Sequence, residues 1–396
     1  MSMSEWQKYK LGEVYSFSSG LSKSSDQFGY GYDFLTFKDV FNNYFLPDKL
    51  TALVNSTEKE RQTCSIKRGD VFLTRTSETD DELGMSSVAL KDYPNATFNG
   101  FTKRLRPLGN VEIYPEFVAY YFRSPRFRAN IVGMSSITTR ASLNNSMLAE
   151  LPLLLPNYEE QVRIATILKS LDDKIGLLHR ENTTLEAMAE TLFRQWFIEE
   201  AKEDWEEGKL DDILSVKGGT TPSTKESRFW NGNIAWTSPR DVTTLKGIYL
   251  FKTEKTITED GLREISSGLL PKGTLLMSSR APVGVLAIAE IPVAVNQGYI
   301  AILDNKGYAK EFIYLWLKLN MDLVHSYSNG STFMEISKST FKSLELQIPS
   351  IKEVERFVNG IKPIFEKIRN NEKHIQTLIQ TRDSLIPKLM SNEIVI

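Results

Sequence analysis

The side chains that most often do chemistry in proteins are scarce in this sequence of 396 residues, which has one cysteine and three histidines. These residues cannot assemble a four-ligand zinc site without carboxylates. The neighbours of Cys64 offer nothing that would activate its thiol. The sequence has no G-x-x-x-x-G-K-[ST] loop and no Asn/Asp-Pro-Pro-aromatic box of the kind found in adenine methyltransferases. The acidic run 78–82 is more typical of a solvated loop than of a metal site. We therefore expect no catalytic residue and no bound metal, and interpret the chain as a binding protein.

Anion binding is the second kind of chemistry that the residue types suggest, because a basic stretch lies between residues 100 and 140. Its only acids are Glu112 and Glu116, and its cations are Lys103, Arg104, Arg106, Arg123, Arg126, Arg128 and Arg140. Such cations on one surface can neutralise phosphates; the alternative is an ordinary solvated face. The formal net charge of −2 argues only against a protein that binds DNA by bulk electrostatics.

The elements that would position these residues occur twice, since the chain is an internal repeat. Trp6-x-x-x-x-Leu11 recurs as Trp205-x-x-x-x-Leu210. A glycine-led apolar strand that ends in arginine occurs at 69–75 and again at 273–280, and Asn99-Gly100 is matched by Asn296-Gln297-Gly298. The sequence therefore predicts one unit of about 195 residues, used twice.

Each repeat divides into a β-rich part and a long helix. We predict a first β-rich domain at 1–155, a central helix at 156–204, a second β-rich domain at 205–349 and a C-terminal helix at 350–396. The pairs Asn157/Glu160 and Ser350/Glu353 are typical of helix starts. The first residues show no secretory signal, and no apolar run is long enough to cross a bilayer. We therefore expect a cytoplasmic protein that does not contact membranes.

The two long helices share a heptad pattern that favours an antiparallel coiled coil. In a register that places Asn182 opposite Asn371, the apolar residues of one helix also lie opposite apolar residues of the other. The exception is Leu171, which lies opposite Arg382. The predicted seam consists of Leu171, Leu178, Asn182, Leu185, Ile368, Asn371, Ile375 and Leu378. The alternative is that both apolar stripes pack only on the neighbouring β-rich domains.

Several segments resemble a known family, the specificity (S) subunits of type I restriction-modification enzymes. The similar segments are 218–223 (GGTTPS) with 229–236 (FWNGNIAW), 270–274 (LPKGT), 279–284 (SRAPVG), 295–299 (VNQGY) and 382–391 (RDSLIPKLMS). Together with segments at the ends of both repeats, they extend the resemblance over essentially the whole chain. In the first repeat the arginine strand continues as Thr76-Ser77-Glu78 and departs from the second repeat's pattern.

The resemblance implies an α+β fold with two β-rich target-recognition domains in tandem repeat, separated by two long helices that form an antiparallel coiled coil. It implies that each domain reads one half of a split, asymmetric site on double-stranded DNA. The helices would act as a spacer and dock two modification (methyltransferase) subunits. Two restriction (motor-nuclease) subunits would complete the enzyme. S-adenosylmethionine, Mg and ATP are then expected on the partner subunits and no cofactor in this chain.

Within that interpretation we assign candidate DNA contacts by side-chain chemistry. Arg75 and Arg280 end the repeated strands, and arginine is the commonest bidentate partner of guanine. Asn99, Asn296 and Gln297 could pair with adenine, with a turn that satisfies its own backbone as the alternative for Asn296-Gln297. Phosphate contacts are assigned to Lys103, Arg104 and Arg140. Two rival classes remain: a scaffold, which explains the helices but not the β-rich domains, and an autonomous methyltransferase, for which no cofactor site is found.

Overall fold

The computed structural model describes residues 6–76, 82–135, 143–303, 306–330 and 334–394. The chain divides into two compact units. The first unit consists of residues 1–175 together with 377–396, and the second consists of residues 176–376. Each unit therefore contains one of the two repeats and a part of both long helices.

The first unit begins with a β-rich domain that carries short helices. Its strands are β1 Gln7–Lys10, β2 Tyr15–Ser19, β3 Phe28–Leu35, β4 Ala52–Val54, β5 Val71–Thr74, β6 Ser86–Val88, β7 Thr97–Phe98, β8 Thr102–Pro107 and β9 Pro152–Leu155. Its short helices are α1 Leu11–Val14, α2 Phe37–Asn42, α3 Glu58–Thr63, α4 Pro115–Tyr121, α5 Pro125–Ser135 and α6 Asn145–Glu150. A four-stranded sheet has the order β2-β8-β5-β6, a three-stranded sheet has the order β4-β3-β7, and β1 pairs with β9.

The second unit repeats this plan. Its strands are β10 Glu206–Lys209, β11 Ser215–Lys217, β12 Trp230–Thr237, β13 Tyr249–Leu250, β14 Lys255–Ile257, β15 Leu275–Ser278, β16 Leu286–Ala289, β17 Ala294–Val295, β18 Tyr299–Leu303 and β19 Glu345–Ile348. Its short helices are α8 Leu210–Ile213, α9 Pro239–Thr243, α10 Glu259–Arg263, α11 Lys310–Leu319, α12 Met321–Ser326 and α13 Lys338–Lys342. The sheets are β11-β18-β15-β16-β13, β14-β12-β17 and β10-β19.

The two repeats agree down to an irregularity in one strand. The pairing of β3 with β4 shifts between Phe28 and Tyr32, and the pairing of β12 with β14 shifts between Trp230 and Ile234. The residues that directly follow Phe28 and Trp230 have a positive φ, 94° at Gly29 and 62° at Asn231. Glycine and asparagine are the residues that best tolerate this left-handed conformation, which explains the choice at both positions.

The long helices are α7 Tyr158–Arg194, which is followed by a π-helical turn at Gln195–Glu199, and α14 Ile351–Met390. Both begin at the predicted caps. The side-chain oxygen of Asn157 accepts from the Glu160 amide at 2.9 Å, and the Ser350 hydroxyl oxygen accepts from the Glu353 amide at 3.3 Å. These bonds satisfy amides that the first helical turn leaves without an intrahelical partner.

Each long helix contributes to the core of both units. In the first unit, Ile164 and Leu168 of α7 and Leu389 of α14 join the buried cluster of the β-rich domain. In the second, Phe193 and Phe357 do the same, with ring centroids 5.7 Å apart. The helices therefore pack on the neighbouring domain as well as on each other, and the predicted α+β fold class with an antiparallel helix pair is confirmed.

The seam is closed by the two asparagines within the second unit. The Asn371 side-chain amide donates to the Asn182 amide oxygen at 2.8 Å and to the Glu181 carboxylate at 3.0 Å. This is the pair that the predicted register places opposite one another. Five seam positions are buried (Leu178, Asn182, Ile368, Asn371 and Ile375), and three are partly buried (Leu171, Leu185 and Leu378).

Arg382, the exception in the predicted seam, has its own partners inside the first unit. Its guanidinium lies 2.6 Å from the Asp172 carboxylate and 5.0 Å from the centre of the Tyr44 ring. Asp172 also accepts a 2.6 Å hydrogen bond from the hydroxyl of Tyr120 in α4. The charged pair thus ties both helices to the β-rich domain of this unit.

Candidate nucleic-acid interface

The basic stretch of the first repeat is used mainly inside the fold. Arg106 makes a bidentate pair with Asp70, at 2.7 and 2.6 Å. The Arg123 guanidinium donates to the backbone carbonyls of Ser86, Val40, Phe41 and Asn43 at 2.6–2.9 Å. Burial lowers the pKa of Arg123 to about 10. A guanidinium has five donors in a fixed plane, so one arginine can hold several chain segments together.

The two predicted phosphate contacts that the structure describes also face inward. Lys103 is 7% exposed, and its ammonium donates to Ser19 and Asn145 at 2.8 Å each. Burial, followed by the nearby charge of Arg75, lowers the pKa of this ammonium. Arg104 is 8% exposed and donates to the Ser65 carbonyl at 2.6 Å. Because both cations are buried and hydrogen-bonded inside the fold, we propose no phosphate contact for either of them. Arg140 lies outside the described residues.

Arg75 and Arg280 are less buried than Lys103 and Arg104 and follow the ends of β5 and β15; neither makes an ion pair with another described residue. They do not occupy equivalent positions. The Arg75 amide donates to the Phe101 carbonyl, whereas the corresponding bond in the second repeat runs from the Ser279 amide to Gly298. The position equivalent to Arg75 is therefore Ser279, and Arg280 corresponds to Thr76. The resemblance between the two arginine-ended segments is real, but the arginines are displaced by one residue.

The asparagines form the same turn in both repeats. The Asn99 side-chain oxygen accepts from the Phe101 amide at 2.7 Å, and the Asn296 oxygen accepts from the Gly298 amide at 2.8 Å. For Asn296, this is the turn that we gave as the alternative to base contact. It uses one acceptor site of each oxygen and leaves the amide nitrogens without a bond in these turns. Gln297 is exposed, and its oxygen accepts from the Thr221 hydroxyl at 2.6 Å.

Glycines allow another loop to approach each of these turns closely. A Cβ at Gly20 would lie 2.2 Å from the carbonyl oxygen of Phe98, and a Cβ at Gly219 would lie 1.6 Å from that of Val295. Phe98 and Val295 directly precede the turn asparagines. Each repeat therefore brings a glycine loop, an asparagine turn and the end of an arginine strand together; we call these groupings the recognition edges. The first is Gly20, Arg75 and 99–101, and the second is Gly219, Arg280 and 296–298.

The first recognition edge carries a side chain that the sequence did not single out. Phe101 follows the Asn99 turn and is 63% exposed, the highest value among the exposed large hydrophobic residues of the described chain. In the second repeat the equivalent position is Gly298. Three further exposed aromatic side chains, Phe28, Tyr30 and Tyr32, lie on β3. Composition alone does not separate these aromatics from the many buried ones nearby.

Among the residues that the structure describes, no group of three or more histidine, cysteine, aspartate or glutamate side chains could hold a metal ion. Of the acidic run, only Glu82 lies within the described residues. No described helix is both long enough and apolar enough to cross a membrane.

Comparison with a family model shows what kind of protein has this duplicated architecture. The model described as "Type I restriction modification DNA specificity domain" matches residues 3–187 and again residues 202–380. The chain belongs to this family. The two matches coincide with the two repeats, so the predicted membership among type I specificity subunits is confirmed.

The relatives cover the chain to different extents. The MjaIX specificity subunit of Methanocaldococcus jannaschii is 37% identical over 191 residues, which are 48% of this chain and 44% of that protein. The HindI specificity subunit of Haemophilus influenzae is 23% identical, over 99% of this chain and 100% of that protein. The crystal structure of the S subunit from M. genitalium shares the fold, with a TM-score of 0.57 and 16% identity over 98% of this chain and 97% of that one. Such relatives are named specificity subunits, so this family member is a non-catalytic subunit, as predicted.

Proposed function

We propose that this specificity subunit reads a bipartite, asymmetric DNA site and directs adenine-N6 methylation and restriction by partner subunits. The observation that carries the proposal is the double family match, one for each β-rich repeat. Residues 1–155 and 205–349 are then the two target-recognition domains, and each reads one half-site. The helical segments 156–204 and 350–396 serve as the spacer between them. The setting of this reaction is the cytoplasm.

The recognition edges are the best candidates for base contact. Arg75 and Arg280 are half-buried, so their stems are fixed by packing, and their guanidinium groups make no ion pair with a carboxylate of the described residues. Arginine in that situation can present a bidentate donor pair to guanine. The free amide nitrogens of Asn99 and Asn296 and the exposed Gln297 offer donors to neighbouring bases. Because the two edges differ in residue type and in arginine position, we expect two different half-sites.

The proposed partners follow from the cofactors that the reaction requires and from the duplicated architecture of the chain. Adenine methylation requires S-adenosylmethionine, which we assign to two modification subunits. Restriction requires Mg and ATP, which we assign to two motor-nuclease subunits. Each β-rich domain is followed by a long helix. Because this arrangement occurs twice, one chain offers two similar docking surfaces for modification subunits. A net charge of −2 fits a subunit whose grip on phosphates depends partly on its partners.

Methylome sequencing tests this function directly. Cells that express the chain with its modification subunit should contain methylated adenines in a motif of two short blocks separated by unread bases. The matched control is the modification subunit expressed alone, which should leave those adenines unmethylated. A single continuous motif, or the same motif in the control, contradicts the proposal.

A further inference from the structure

A buried carboxylate holds the edge strand of the second β-rich domain onto a long helix. Glu372 of α14 is 6% exposed, and its two oxygens accept the backbone amides of Ile248 and Tyr249 at 2.8 and 3.0 Å. Ile248 directly precedes β13 and Tyr249 begins it; β13 is one of the two outermost strands of the five-stranded sheet. A second contact comes from the Tyr249 hydroxyl, which donates to the Phe365 carbonyl of α14 at 3.2 Å. Strand and helix are therefore joined by hydrogen bonds as well as by packing.

The neighbouring sequence is adapted to this carboxylate. A Cβ on Gly247 would lie 2.5 Å from Glu372 Cδ and 2.6 Å from Oε1. Gly247 is not among the residues with positive φ, so the need for glycine here is one of space. Any side chain at this position would push the carboxylate away from the amides that it binds.

The first repeat holds the equivalent edge by different chemistry. The Val88 amide donates to the Tyr44 carbonyl and the Ile288 amide donates to the Ile248 carbonyl, so Tyr44 and Ile248 are equivalent positions. At Tyr44 the anchor is the guanidinium of Arg382, which is paired with Asp172. An arginine stays charged at every pH of interest. At this edge the second repeat thus depends on a carboxylate that binds two amides and makes no ion pair with a cation of the described residues.

The charged groups around Glu372 lie on several elements. Glu186 of α7 and Glu290 after β16 both act against its ionisation. Glu186 is paired with Lys318 of α11 at 2.6 Å. Glu290 lies 2.9 Å from Lys272 and 3.9 Å from Arg369 of α14. Lys318, Lys272 and Arg369 are therefore engaged with other carboxylates. Lys246, which precedes Gly247, lowers the pKa of His179 on α7 after the larger effect of burial.

We propose that Glu372 is a positioning residue for recognition of the second half-site, and that its carboxylate holds β13, and with it the second recognition domain, in place on α14. The inference rests on the proposed function. An ionised carboxylate offers one acceptor oxygen to each of the two amides. Burial raises the pKa of Glu372 to about 7, although the two amide bonds act in the opposite direction. The binding assay is therefore run at pH 8.5, where the carboxylate is ionised.

The test measures DNA binding by the full chain assembled with its modification subunit, at pH 8.5 and constant ionic strength. Three duplexes are compared: the cognate site, the site with the first half scrambled, and the site with the second half scrambled. The wild type should discriminate against both scrambled duplexes. Loss of the Glu372 carboxylate should lower discrimination at the second half-site roughly tenfold or more, the equivalent of one charge-assisted hydrogen bond, and leave discrimination at the first half-site unchanged.

Two independent variants remove this anchor. Glu372→Gln has one acceptor oxygen where the carboxylate has two, and Gly247→Ala displaces the carboxylate, so both should show low discrimination at the second half-site and wild-type discrimination at the first. The matched control is Glu366→Gln, an exposed glutamate on the same helix, which should behave like the wild type. Hydrogen exchange of the Ile248 and Tyr249 amides, with thermal unfolding of the whole chain, separates local release from misfolding.

Several outcomes overturn the inference. Equal discrimination at the second half-site by the wild type and Glu372→Gln would show that this carboxylate does not position the domain. Equal loss of discrimination at both half-sites would show a merely structural effect on the chain. A wild type that discriminates at neither half-site would contradict the proposed function itself, and with it this inference.

Discussion

The asparagine pair of the helix seam leads to an asymmetric mutational prediction. Asn182 is 5% exposed; its oxygen is bonded to Asn371, and its amide nitrogen has no hydrogen-bond partner among the described residues. Asn371 has two acceptors, because it also donates to Glu181. The variant Asn371→Leu removes the only partner of Asn182 and should destabilise the second unit by about 1–3 kcal/mol. The variant Asn182→Leu removes the unpartnered amide nitrogen and leaves Asn371 bonded to Glu181, so it should cost less than about 1 kcal/mol.

The double variant should relieve the destabilisation that a single substitution causes. With leucine at both positions no polar group of the pair remains in the seam, and two apolar side chains meet in a buried layer. We expect it to be more stable than either single variant, with a coupling energy of about 1–2 kcal/mol. A seam without a polar pair also loses the feature that fixes its register. The double variant should therefore methylate sites with a wider range of gap lengths than the wild type.

Urea unfolding followed by tryptophan fluorescence is a suitable assay, because five of the six tryptophans (Trp196, Trp205, Trp230, Trp236 and Trp316) lie in the unit formed by residues 176–376. The exposed substitution Thr183→Leu, next to Asn182, controls for added hydrophobicity on the helix. If the two single variants are equally unstable and their effects simply add in the double variant, the two asparagines are not coupled, and the argument from unsatisfied groups is wrong.

Three further predictions concern the sites described above. Arg280→Ala should weaken binding of the cognate site by about 1–3 kcal/mol and relax specificity at one position of the second half-site, as read by methylome sequencing; unchanged affinity and motif would reject base contact. Lys103→Met should leave the salt dependence of DNA binding unchanged, because this ammonium bonds inside the fold; a smaller salt slope would contradict that. The pKa of Glu372 is raised from 4.5 to about 7 in the folded state, so its ionisation opposes folding. The free energy of unfolding should therefore fall by about 3 kcal/mol from pH 4.5 to 8. Urea titrations at several pH values measure this slope, and Glu372→Gln should remove it.

The repeat, the fold class and the long helices could be predicted because their signals are local or periodic. A heptad pattern and a cap such as Ser350 with Glu353 are visible within a few turns of helix. The pairing of helices far apart in sequence was accessible only because each seam has one asparagine. The Arg382 exception could not be resolved in the same way, because its partners Tyr44 and Asp172 lie on other elements and leave no spacing signal.

The fate of the basic stretch could not be predicted, because composition does not show which cations already have partners. Asp70, which binds Arg106, is 36 positions away, and the carbonyls that bind Arg123 are 37 to 83 positions away. Backbone carbonyls occur at every residue, so an arginine that binds them has no complementary residue type in the sequence. An arginine-rich segment with few acids therefore predicts either an exposed cationic surface or a set of buried junctions, and only the chain path decides between them.

The one-residue displacement of the recognition arginines limits what an alignment of the repeats can reveal about specificity. Both arginines follow a buried strand that begins soon after a glycine of positive φ, so the two segments look interchangeable. Backbone bonds show that Ser279, which is buried, is the true equivalent of Arg75. In extended chain, successive side chains point to opposite sides, so a displacement of one residue changes the direction in which a guanidinium can reach. Under the proposed function, two edges built on the same scaffold would then approach a base pair from different directions, which would give an asymmetric site without any change of fold.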